Sequence, residues 1–209
     1  MTQGATQPSV TVRFRLNGED RVVQVPPYRL LLDCLRNDLG LTGSKEGCAV
    51  GVCGACAVLL DGKMVSSCLL LTVMADGADL TTVEGLAQDG RLHPVQQGFV
   101  DHGGFQCGIC TPGQVVAAKA LLDANPAPTE EDIKDWMMGN LCRCTGYYQI
   151  VESIKHAAAN LAAEGKRVAA GRPAPRRAAA RRAAGPAGRA RRPAAKRRPG
   201  RHRGAASRP

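Results

Sequence analysis

The chain has 209 residues, 3% aromatics and 24 glycines, so any core must be built from Val, Leu, Ile and Ala. The length admits one large domain or two small ones plus a tail, and no apolar run is long enough to cross a bilayer. The net charge of +10 is local: from Lys166 onward stand 16 Lys and Arg without one acid, leaving 12 basic against 18 acidic residues before it, a net of −6.

Residues 1–9 are polar and lack a hydrophobic signal region, so a flexible N-terminus and a cytoplasmic location are expected. Val10, Val12, Phe14 and Leu16 alternate with polar residues, the period of a half-buried strand. Asn17-Gly18 suits a tight hairpin turn, and Val22 to Val25 reads as the returning strand. After Pro26-Pro27, the helical spacing of Leu31, Cys34, Leu35 and Leu39 predicts a helix ended by Gly40. Ala55 to Leu60, closed by Asp61-Gly62, and Leu80 to Val83 read as further strands. Residues 10–86 therefore predict a small mixed sheet with one helix.

Beyond a linker at 87–91 the period changes. His93-Pro94 opens a short helix, Pro suiting the first turn. Thr111-Pro112-Gly113-Gln114 reads as a capping box with Pro at the first helical position, and Asn125-Pro126 stops that helix. Thr129 caps a third helix whose first turn, Glu130, Glu131 and Asp132, suits the helix dipole. Tyr147, Ile150, Val151, Ile154, Ala158 and Leu161 form one apolar stripe on a fourth. Residues 92–165 thus predict an all-α four-helix domain. From 166 to 209 the chain is Arg, Ala, Pro and Gly with one large aliphatic, Val168, too little apolar surface to offset ordering entropy, so disorder is expected there.

Nine cysteines are too few for a disulfide-dense scaffold, and an odd count leaves one unpaired. Cys48, Cys53, Cys56 and Cys68 have the spacing C-x4-C-x2-C-x11-C, whose first three members match the plant-type [2Fe–2S] pattern. Gly47, Gly51 and Gly54 lie among them, where positive φ and close backbone approach let N–H groups point at sulfur. Structural zinc sites instead favour two close C-x2-C pairs. Cys107, Cys110, Cys142 and Cys144, spaced C-x2-C-x31-C-x-C, fall just before two predicted helices, where unpaired N–H groups favour negative charge. Taken alone, that second set fits zinc as readily as iron.

Gly47-Cys48-Ala49-Val50-Gly51-Val52-Cys53-Gly54-Ala55-Cys56, Phe105-Gln106-Cys107-Gly108-Ile109-Cys110-Thr111-Pro112-Gly113 and Gly139-Asn140-Leu141-Cys142-Arg143-Cys144-Thr145-Gly146-Tyr147 together resemble the small iron–sulfur subunit of the molybdenum hydroxylases. This family includes xanthine dehydrogenase, aldehyde oxidoreductases and carbon monoxide dehydrogenase. The resemblance covers about residues 10–160. It implies an α+β chain: a β-grasp ferredoxin-like domain with one [2Fe–2S] cluster, then a helical domain with a second. It implies that Gln106 and Cys144 contact the pterin of a molybdenum cofactor on a large partner subunit. The cluster of Cys48, Cys53, Cys56 and Cys68 would pass electrons onward to FAD on a medium subunit. The chain itself would make no bond on substrate.

Other residues read as structural. Cys34 shares an apolar face with Leu31 and Leu35 and reads as a buried inert thiol. His93, His102 and His156 are scattered, at a helix start, a loop edge and a helix surface; Trp136 and Met137 are expected in the bundle core. Arg143 either offsets cluster charge or reaches solvent. The basic tail lacks aromatics for base stacking and an amphipathic face, so nucleic acid is not an expected partner. Two other functions fit the same residues: a free-standing two-cluster carrier, and a zinc-stabilised module with a polyanion-binding tail.

Overall fold

A computed structural model describes residues 8–171. The expectations of a flexible segment at 1–9 and a disordered tail fall outside the described residues, except at 8–9 and 166–171. The last helix runs to Gly171, so the chain is still helical at 166–171, where the tail was expected to begin. Its Lys, Arg, Val and Ala are compatible with helix, and Pro first returns at 173.

Strands β1 (Val10–Leu16) and β2 (Glu19–Val25) pair antiparallel from Val10 opposite Val25 to Leu16 opposite Glu19. Asn17 and Gly18 turn between them at φ 52° and 89°. The first four residues of β2 are exposed, which is why apolar alternation marked only its end. The predicted helix starts as α1 (Leu31–Asp33), but Cys34–Asp38 continues it as a wider turn in which Leu39 N–H donates to the Cys34 carbonyl at 3.0 Å.

Strand β3 (Ala57–Leu60) starts two residues later than expected, because Ala55 and Cys56 belong to the cysteine loop. The Asp61-Gly62 turn leads into β4 (Lys63–Ser66), a strand without an apolar signal, and β5 (Asp79–Thr81) completes the sheet. The order is β2-β1-β5-β3-β4, with β5 parallel to β1 and antiparallel to β3.

Four helices follow: α2 (Pro94–Asp101), α3 (Thr111–Ala124), α4 (Glu130–Met137) and α5 (Tyr148–Gly171). Between sheet and helices, Gln88 and Arg91 exchange two backbone hydrogen bonds across Asp89-Gly90, so residues 88–91 of the expected linker form a tight turn. Val12, Phe14, Leu16, Leu31, Leu35, Val58 and Leu80 make one core, and Phe99, Leu121, Ile133, Met137, Ile150 and Ile154 make another. Strand β3 serves both sides. Val58 faces the sheet core, whereas Ala57 and Leu59 pack on Val116 and Ala120 of α3. Among the described residues no helix is long and apolar enough to cross a membrane.

Three local readings change. Thr111 and Gln114 form no capping box: Cys110 stands at the N-terminal boundary of α3 without a side-chain capping bond, Pro112 is the second helical residue, and the Gln114 amide donates to the Asn140 carbonyl instead. Trp136 is 39% exposed and donates Nε1–H to the Ala117 carbonyl, while Met137 alone fills the core. Tyr147 stands before α5 at φ 71°, not on its apolar stripe.

The cap expected at Thr129 is present, and Asp132 completes it as a reciprocal box. A second box closes α2: His93 Nδ1 accepts from Val95 N–H at 3.2 Å, and Gln96 Oε1 accepts from His93 N–H at 2.9 Å. Burial, then the Lys119 charge, holds this imidazole below its ordinary 6.5. Protonation would turn Nδ1 from acceptor to donor. With the folded value depressed, the stabilisation is complete above about pH 6.5 and is lost as pH falls through the lower folded value. Thermal unfolding at about pH 7.5 and pH 5.5 should show the native chain losing up to about 1 kcal/mol more than H93N, whose amide oxygen caps without titrating.

Candidate metal centres

The first quartet lies in the loop between α1 and β3, with Cys68 brought back by the β3–β4 hairpin. Cys48 and Cys53 interact through their thiols, as do Cys56 and Cys68. N–H groups of Val50 and Val52 point at the Cys48 sulfur and bring that thiol down to about 6. Burial raises Cys53, against an N–H from Ala55, and burial with the Cys56 contact raises Cys68 to about 11. The backbone is shaped for this: Ala49, Gly51 and Gly54 are left-handed, at φ 56°, 76° and 71°. Gly47 is not left-handed and is required for room, since a Cβ there would stand 2.9 Å from Cys53 Sγ.

The second quartet joins the start of α3 to the loop before α5. Cys107 and Cys144 are exposed, with sulfurs 3.5 Å apart, and Cys110 interacts with Cys142. The Ile109 N–H lowers Cys107, while the hydrogen bond with Cys107 raises Cys144. Burial raises Cys110 to about 12, with Cys142 adding to it. Burial also opposes the Cys142 thiolate, but the Thr145 hydroxyl at 3.2 Å and N–H groups of Thr145 and Cys144 bring it below its usual value. The donors near Cys142 thus come from the following turn; α5 begins only at Tyr148.

Each quartet is therefore gathered as two pairs of thiols. Two pairs suit a two-iron cluster, with two thiolates for each iron. Among the described residues, no three His, Cys, Asp or Glu side chains gather as a single ion needs. The donor set fits [2Fe–2S] at both places.

The quartets are tied to each other. Leu141 N–H donates to the Cys53 carbonyl at 2.9 Å, and Asn140 Nδ2 donates to the Gly54 carbonyl at 3.2 Å. Gly54 is held closely on two sides, because a Cβ on it would strike the Asn140 amide and a Cβ on Gly113 would strike the Gly54 oxygen. Asn140 and Gln114 are buried, and Asn140 Oδ1, Gln114 Oε1 and Thr111 Oγ1 have no partner among the described residues. Sequence reasoning gave Asn140 no role and sent Gln114 to a cap. The available signal was a carboxamide two residues before a cysteine pair. Tyr147 was missed as well: its Oη accepts the Cys142 N–H at 2.8 Å.

Gln106 and Arg143 are exposed beside the second quartet, and Cys34 is fully buried, its thiol raised to about 11 by burial. His102 and His156 meet with ring centroids 4.5 Å apart and planes tilted by 55°.

Residues 14–87 match the 2Fe-2S iron-sulfur cluster binding domain family, and residues 82–155 match the [2Fe-2S] binding domain family. The nicotinate dehydrogenase small FeS subunit of Eubacterium barkeri is 49% identical over 148 residues, 71% of this chain and 94% of that one. The aldehyde oxidoreductase of Megalodesulfovibrio gigas is 50% identical over 147 residues, 69% of this chain but 16% of that longer one. Among solved structures, quinoline 2-oxidoreductase from Pseudomonas putida 86 superposes with a TM-score of 0.72 at 44% identity, covering 75% of this chain and 98% of that chain.

Replacing Cys53 by Ser should cut iron from about four to about two per chain. Electron paramagnetic resonance after dithionite should then show one reduced cluster instead of two; two intact signals would show that Cys53 is not a ligand.

Proposed function

Because the chain belongs to the small [2Fe–2S] subunits of the molybdenum hydroxylases, we propose that it takes electrons from a molybdopterin centre on a large subunit and passes them towards FAD on a medium one. It is an electron-transfer subunit of an oxidoreductase within a multi-subunit complex, and it holds two [2Fe–2S] clusters. In this reading Cys48, Cys53, Cys56 and Cys68 ligate the first cluster, and Cys107, Cys110, Cys142 and Cys144 the second. When bound, each cluster supplies a site that takes and gives one electron.

The chain's own residues do the rest. Backbone N–H groups of Val50, Val52 and Ile109 face thiolate charge, and such donors raise a reduction potential. Gln106 and Cys144 would meet the pterin, a role supported by their exposure next to Cys107. The sheet with its one helix, residues 10–86, would be the β-grasp unit, and 92–165 the helical one.

The observation that carries the reading is the direct link between quartets. Cys53 accepts, through its carbonyl, the N–H of Leu141, the residue before Cys142. A single hydrogen bond thus joins one proposed ligand to the neighbour of another. Partner subunits are supported by exposed apolar side chains at both ends: Val50, Val52 and Leu69 by the first quartet, and Phe105, Ile109 and Leu141 by the second. A cytoplasmic location is part of the same proposal, since clustered cysteines in a reducing compartment serve as metal ligands.

Purification from the native host should recover a larger chain with molybdenum co-eluting. A chain that runs alone with both clusters loaded would identify a free-standing carrier instead. Deleting Arg172 to Pro209 should leave iron content and subunit assembly unchanged, as read by metal analysis and gel filtration.

A further inference from the structure

The two loops that hold the quartets meet at few atoms, and one side chain stands at the centre of them. Asn140 is 1% exposed, and its side chain and its carbonyl each bond to a residue far away in the chain. Nδ2 donates to the Gly54 carbonyl, its own carbonyl accepts from Gln114 Nε2 at 2.7 Å, and its N–H donates to the Met137 carbonyl at 2.9 Å. The next residue, Leu141, donates to Cys53. Residues 140 and 141 therefore place two parallel hydrogen bonds on residues 53 and 54, one from a side chain and one from the backbone.

Stability alone does not account for an asparagine here. A buried acceptor without a partner costs about 1–3 kcal/mol, and among the described residues Asn140 Oδ1 finds none, nor does Gln114 Oε1 on the residue that supports it. What the amide does provide is position. Gly54 has no side chain by which it could be gripped, and it has Gly113 against its other side. Its carbonyl accepts from two donors, the Ala57 N–H at the start of β3 at 3.1 Å and the Asn140 amide at 3.2 Å, and the second of these ties it to the loop of the other quartet, beside the Cys53 carbonyl that faces Leu141.

We propose that Asn140 is the positioning residue for electron transfer between the two clusters, holding the Gly54 carbonyl so that the adjoining Cys53 carbonyl stays on the Leu141 N–H. Gln114 fixes Asn140 from behind. This rests on the ligand assignment above. Asn140 touches neither cluster's sulfurs in this scheme and acts only through Gly54 and Leu141. Loosening the clamp therefore lowers the rate between clusters without changing what each cluster is.

The test uses the assembled complex carrying N140D, which keeps the shape but replaces the donor by an acceptor, and N140A. A third variant, Q114M, loosens Asn140 while leaving its Gly54 bond in place. Iron content, the potential and paramagnetic signature of each cluster, the spin coupling between the reduced clusters, and the rate of electron exchange between them are measured. Expected are full iron loading and unchanged individual signatures. The exchange rate should fall at least about tenfold in N140D and N140A, with weakened spin coupling and a smaller fall in Q114M. A loaded N140D complex with wild-type exchange and coupling would overturn the proposal. Loss of iron from both Asn140 variants would overturn it too, by giving the residue a role in building a cluster site. The ligand reading fails separately, if Cys53→Ser in the wild-type background keeps both clusters.

Discussion

A [2Fe–2S] cluster with four thiolate ligands carries net negative charge, and the chain has to meet that charge with its own backbone. The loop from Cys48 to Cys56 is bent for this purpose. Its N–H groups at Val50, Val52 and Ala55 turn inward to Cys48 and Cys53, which takes them out of any ladder or helix. Left-handed residues at 49, 51 and 54 make the inward turn possible. The second site meets the same demand with fewer bends, drawing on Ile109 before α3 and on the turn at Cys144 and Thr145. Regular structure then serves to bring these irregular stretches together. The hairpin β3–β4 returns Cys68, and α3 starts where Cys110 ends the first half of the second quartet.

Strand β3 explains why the two halves hold a fixed relation. Its side chains alternate between two cores, Val58 with the sheet and its helix, Ala57 and Leu59 with α3. A strand covered on both faces reads as a continuous apolar run. That run is also the continuation of the cysteine loop, so the packing that fixes α3 on the sheet fixes Cys56 and Cys110 together. The sites are near each other because the backbone has no room to separate them.

Much of this was legible in the residues. Period-two alternation placed β1, and the Asn17-Gly18 and Asp61-Gly62 dipeptides placed both hairpin turns. Proline and Thr129 marked the starts of α2 and α4. The first quartet stood out by its spacing, whereas the second gained its reading only beside the first and from the family resemblance. The illegible parts share a cause: their meaning depends on residues far away in the chain. Strand β4 is Lys-Met-Val-Ser with little alternation, and only pairing with β3 makes it a strand. Thr111 and Gln114 had the spacing of a cap, yet Gln114 finds a better acceptor in Asn140, 26 residues on. Trp136 looked like core by size, but its indole N–H reaches the Ala117 carbonyl while the side chain stays exposed. Tyr147 sat at the right interval for a helix stripe, while its hydroxyl was wanted by the Cys142 N–H.

Where Gly113 lies on the carbonyl of Gly54, peptide meets peptide with nothing between. Such a contact works as a gauge block. Its thickness is set by van der Waals radii common to every polypeptide, not by the bulk or rotamer of a particular residue. Leucines and valines in either core can be exchanged and repacked, and the step between the loops will keep its width so long as both positions remain glycine. The spacing of the two cysteine loops is thereby insulated from most substitutions the rest of the chain can absorb.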